Sequence, residues 1–135
     1  MIVTSIEQSK HLLELGLKPE TADMHWSIYG HNGGKVLDGE YQLCFNAGCY
    51  EPDNEETDIP SWTIDALLKL MPKAIDEGGP IYTFSLLPTW NKTWCAVYGT
   101  DDYDVAHDIE EDEPFDAVYK ILLYVIENGY LKEDK

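Results

Sequence analysis

Carboxylates crowd two short segments of this chain, and cation binding or acid–base work is the chemistry such crowding invites. The first segment holds Glu51, Asp53, Glu55, Glu56 and Asp58. The second holds Asp101, Asp102, Asp104, Asp108, Glu110, Glu111, Asp112, Glu113 and Asp116, and neither contains a Lys. A helix–loop–helix calcium loop wants acids or Asn at its first, third and fifth positions, Gly at the sixth and Glu at the twelfth. Counted from Asp102, the chain supplies Asp102, Asp104 and Glu113 but sets Ala106 and His107 at the two middle positions. Those three acids are weak candidates for irregular divalent binding, and the pattern gives no metal site.

Other chemistries have less to work with. Zinc needs four converging soft ligands, whereas Cys44 and Cys49 have no second Cys or His pair at finger-like spacing. His11, His25, His31 and His107 are scattered, and Cys44 and Cys95 read as small buried strand residues. No Gly-x-Ser-x-Gly elbow is present, and nearby acids disfavour a reactive thiolate. The run Gly30-His31-Asn32-Gly33-Gly34 lacks a phosphate loop's ending and reads as a hairpin turn. No cofactor is expected. Paired carboxylates in a small metal-assisted hydrolase stay open, because such pairing is spatial.

The aromatic residues divide in the same way. Trp26, Tyr29, Tyr41, Tyr82, Trp94 and Tyr98 fall in strand-like runs and are expected to be half-buried in a sheet. Trp62 and Trp90, beside Pro60 and Pro88, are expected to be exposed anchors for a partner.

The elements that would position these groups follow from periodicity and punctuation. Thr4 and Glu7 form a capping box for a first helix that ends at Gly16, with Ile6, Leu12, Leu13 and Leu15 as its buried side. Residues 24–29 and 41–45 read as strands around the glycine turn. Ile64, Leu67, Leu68 and Met71 then recur at the spacing of one helical face. The second half repeats the order, with strands at 81–86 and 94–98 and an acidic loop. Pro114 is the first helical residue, Phe115, Val118, Tyr119 and Leu122 form the face, and Gly129 is the stop.

A shift of 51 overlays the halves without gaps over residues 43–71, with six identities in 29 positions. The expected architecture is α+β in a single domain, 1–135: a leading helix and turn (1–24), then a duplicated ββα unit (25–72 and 80–131). Its antiparallel sheet carries helices on one face. Duplication would set the two acidic loops at equivalent positions.

Charge and composition bound the function. Nine Lys, no Arg and 26 acids leave a net charge of −17, yet the two acidic segments carry −14 of it and the other 111 residues only −3. Direct binding to nucleic acid or an anionic membrane is not expected without Lys clusters and Arg forks. The chain shows no basic–apolar leader and no membrane-length apolar run, and its three cysteines are no disulfide framework, so a reduced cytoplasmic setting is expected.

The opening run Ser9-Lys10-His11-Leu12-Leu13-Glu14-Leu15-Gly16-Leu17-Lys18-Pro19-Glu20-Thr21-Ala22-Asp23-Met24 resembles that of a group of small uncharacterised proteins from anaerobic gut bacteria and their prophages. Ile59-Pro60-Ser61-Trp62, Ala66-Leu67-Leu68 and Glu127-Asn128-Gly129-Tyr130-Leu131 are similar to that group as well. The resemblance implies no activity and carries no functional residue over; a mobile-element origin would fit a small accessory or inhibitory protein.

These readings point to a non-enzymatic acidic module that binds a basic protein partner. The candidate contacts are Asp53, Glu55, Glu56, Asp58, Asp102, Asp104, Asp108, Glu110, Glu111, Asp112, Trp62 and Trp90. The alternatives are the metal-assisted hydrolase or cation binder, and a DNA mimic that blocks a nucleic-acid-binding protein.

Overall fold

The computed structural model describes residues 3–27, 42–45, 58–76, 80–100 and 104–131. The chain is α+β, and its contacts divide it into two units, Met1–Ala66 and Leu67–Lys135.

The first unit begins with helix α1 (Ile6–Glu14). Its capping box is Ser5 with Gln8, one residue later than expected. The Gln8 N–H donates to Ser5 Oγ at 3.1 Å, and the Ser5 N–H donates to Gln8 Oε1 at 2.9 Å. Thr4 fits the same spacing but is buried elsewhere, where its Oγ1 lies 2.8 Å from Ser9 Oγ and accepts from the Trp62 N–H at 3.0 Å. Ser5→Ala should therefore cost about 1 kcal/mol, read from the urea midpoint. Glu7→Ala, at an exposed first-turn position, should stay within about 0.5 kcal/mol.

Gly16 takes φ 98° and closes the helix in the αL conformation that glycine favours. The Gly16 and Leu17 N–H groups return to the Leu13 and Leu12 carbonyls at 3.0 and 3.1 Å, the paired bonds of a Schellman stop.

Three antiparallel strands follow: β1 (Met24–Ser27) lies between β2 (Gln42–Phe45) and β3 (Asp58–Ser61). Pro60 is tolerated because, among the described residues, β3 is an edge strand, where a missing N–H breaks no inner ladder. Thr63 precedes the short helix α2 (Ile64–Leu70). Thr63 Oγ1 accepts from the Ala66 N–H at 3.2 Å, while the Asp23 carboxylate accepts from both the Thr63 N–H and the Thr63 hydroxyl.

The second unit holds an antiparallel meander of four strands in chain order: β4 (Ala74–Asp76), β5 (Ile81–Pro88), β6 (Trp94–Gly99) and β7 (Val105–Glu111). Helix α3 (Pro114–Glu127) packs on β6 and β7. Pro114 opens it, and Gly129, at φ 73°, closes it with the same pair of return bonds, as the sequence predicts. Phe115, Val118, Tyr119 and Leu122 are all buried, together with Ile121 and Val125. Ile75, Ala96 and Tyr98 supply the buried side of the sheet.

The duplicated ββα unit is not confirmed. A third strand, β3 or β7, intervenes before the helix in each half, and the pairing does not repeat. At the 51-residue offset β2 falls on β6, yet among the described residues β2 is an edge strand and β6 an inner one. Among the described residues no helix is long and apolar enough to cross a membrane.

Candidate interaction surface

The second acidic segment is not the loop expected from its charge. Residues 105–111 form β7, an edge strand of the four-stranded sheet among the described residues. Alternation along a strand sends successive side chains to opposite faces, and the register identifies which is which. His107, Ile109 and Glu111 stand beside Tyr98, Ala96 and Trp94, toward α3. The His107 ring stacks on Tyr124 at 4.1 Å, and Glu111 pairs with Lys120 of α3 at 3.0 Å. Glu111 is thus engaged within the unit and is a poorer partner contact than its charge suggested.

Asp108 and Glu110 take the other face, exposed, beside Val97 and Cys95 respectively. Their charge is felt there. Burial pushes the Cys95 thiol up, and Asp108 and Glu110 push it further in the same direction against an opposing backbone hydrogen bond from Ile109. The arrangement therefore disfavours a nucleophilic thiolate at Cys95. On an edge strand the same charges have a structural use: they discourage pairing with another chain's edge.

The remaining acids flank this strand. Asp104 leads into it, its N–H donating to Thr100 Oγ1 at 3.2 Å and its carbonyl accepting from the Thr100 N–H at 2.8 Å. Asp112 and Glu113 follow β7, and Glu113 is the residue that precedes the first turn of α3. Asp104 and Glu113 therefore lie at opposite ends of a seven-residue strand, on the order of 20 Å apart, and cannot share an ion. Among the described residues no three His, Cys, Asp or Glu side chains gather as a metal site. Asp53, Glu55, Glu56 and Asp102 lie outside the described residues, and Asp58 opens β3.

The two expected aromatic anchors part company. Trp62 is 0% exposed, so its assignment as a surface anchor is corrected. Its indole N–H donates to Thr21 Oγ1 at 2.9 Å, and its backbone exchanges bonds with Thr4. Trp90 is 99% exposed at the turn between β5 and β6. Thr89 and Thr93 tie that turn through their hydroxyls and a 2.9 Å backbone bond, and Lys92 takes φ 63° within it.

Sequence reasoning missed the face that adjoins Asp108 and Glu110. Ile81 and Leu87 are 60% and 51% exposed on that side of the sheet, and only the strand register reveals that they share it with the acids. No protein-family model, no curated protein and no solved structure matches this chain.

Proposed function

We propose that the protein is a non-enzymatic acidic interaction module that binds a basic protein partner through β7 and its flanking residues. The observation that supports this reading is the placement of Asp108 and Glu110, exposed and fixed on a strand at the sheet edge. A rigid strand holds the backbone under these carboxylates at defined positions, so this segment loses less order on meeting a partner's Lys and Arg than a loop would. Asp104 and Asp112, also exposed, extend the field at both ends. Trp90 adds an exposed aromatic contact at the β5–β6 turn.

Opposed charge accelerates encounter and makes it salt-sensitive. A Lys-rich peptide titrated by calorimetry should bind at low salt and weaken by about tenfold or more at physiological ionic strength. Asp108→Asn with Glu110→Gln should remove most of that dependence. Binding indifferent to salt and to both substitutions would overturn the reading.

DNA mimicry needs carboxylates along an extended rigid track. Asp108 and Glu110 supply two on one face, while Glu111 turns to Lys120, so this variant has weaker support. A common origin of the two halves rests on the overlay at offset 51, where α2 falls within α3.

A further inference from the structure

The face of the four-stranded sheet opposite α3 has no cover within the described residues: none of its side chains is buried. An open antiparallel face is ordinarily polar. Here β5 presents Ile81 and Leu87, more than half exposed, at the two ends of a row that holds Thr83 and Ser85 between them, and β6 presents the half-buried Val97 between that row and the acids of β7.

The charges on this face all have one sign. Asp108 and Glu110 form the margin on β7, and Asp76, beside Ile81, stands on β4 at the opposite edge. No Lys lies on it among the described residues. A partly apolar face, with Ile81, Val97 and Leu87 spaced along it, is thus bordered by carboxylates at both edges. From β4 to β7 is three strand spacings, about 14 Å, which accommodates one α-helix with its side chains, about 10–12 Å across.

We propose that this face docks a basic amphipathic helix of the partner, its apolar stripe on Ile81, Leu87 and Val97. Lys or Arg on one flank of that helix meets Asp108 and Glu110. The inference rests on the basic-partner reading and specifies the segment that is bound. A second copy of this chain fits less well, since it brings the same acids to the same face and another −17 of charge. An anionic membrane surface is repelled for the same reason.

Cys95 lies on this face between Leu87 and Glu110, and its alkylation, read peptide by peptide in the mass spectrometer, reports cover. The probes are a Leu/Lys peptide with a single apolar helical stripe and a scrambled peptide of equal composition, each added to the full chain. The striped peptide should slow Cys95 alkylation about tenfold or more at saturation, and the scrambled one should not. Leu87→Ser with Val97→Ser should weaken the striped peptide by about tenfold or more. So should Asp108→Lys with Glu110→Lys. All four positions are at least partly exposed, and urea midpoints verify that the variants fold.

Salt-dependent binding without protection of Cys95, or equal binding of both peptides, would overturn the docking face and leave the basic-partner reading standing. Failure of both peptides to bind in low salt would overturn both. Protection of Cys95 by self-association in sedimentation, or by zwitterionic vesicles instead of the peptide, would also remove the proposal.

Discussion

Replacing Trp62 by Ala is expected to destabilise the protein by about 3–5 kcal/mol, the range for deleting a large buried aromatic side chain. Trp62 is fully buried, in company with the buried Val3, Leu12 and Ile59 of the same unit. Truncation removes the indole from the core and takes the donor from Thr21 Oγ1. A domain's total stability is only about 5–15 kcal/mol, so this loss is a large share of it. In urea the midpoint should fall by about 2 M, taking a slope near 1.5–2 kcal/mol per molar. Trp62→Phe, which keeps a ring but loses the N–H, should give a smaller loss of about 1–2 kcal/mol. Trp90→Ala supplies the contrast: at 99% exposure it should change stability by less than about 0.5 kcal/mol. If Trp62→Ala is as mild as Trp90→Ala, the buried position of Trp62 is wrong.

That contrast also marks where sequence reading stops. Trp62 and Trp90 have the same local signature, an indole two residues after a proline. What separates them is non-local: Trp62 meets Thr21 and Thr4, 41 and 58 residues away, and no periodicity encodes such contacts. Pro60 beside Trp62 suggested an exposed anchor, but an edge strand accepts proline as well. Ser5/Gln8 and Thr4/Glu7 are degenerate as patterns, and the choice between them is made by the buried bonds that hold Thr4.

Helix α3 was legible because three signals agreed: Pro114, the apolar face from Phe115 to Leu122, and Gly129. The β5–β6 hairpin was legible for a similar reason, with apolar runs on either side of a polar turn. Strand β7 was not, because His107 and Glu111 occupy the positions that face the helix, where apolar residues would announce a strand. A Tyr124 ring and the Lys120 ammonium accommodate them, and both partners lie more than eight residues away in sequence. Strand β4 is three residues long between Pro72 and Gly78, too short for alternation to register. The candidate site was therefore seen as charge and missed as shape: the acids were evident, but their place on an edge beside an open apolar face required the register.

Raising the pH should expose a second dependence, centred on Tyr98. Its phenol is buried, donates to the Pro72 carbonyl at 2.7 Å and packs on Phe84 with ring centroids 5.4 Å apart. Burial raises the Tyr98 phenol well above the ordinary tyrosine range, and burial also raises Tyr119. A raised acid keeps its proton in the fold after the unfolded chain has begun to lose it. Its contribution is therefore intact below the unfolded tyrosine pKa, about 10, and is lost as pH climbs from there toward the folded value. Each such group lowers stability by up to about 1.4 kcal/mol per pH unit across that window. Urea titrations between about pH 8 and pH 11 should show stability level at first and then falling. Tyr98→Phe should cost about 1 kcal/mol near neutrality, because the Pro72 carbonyl loses its donor. The same substitution should make the alkaline fall shallower, so the gap between variant and parent narrows or reverses as pH rises. An unchanged alkaline slope in Tyr98→Phe would show that the Tyr98 phenol is not held protonated by the fold.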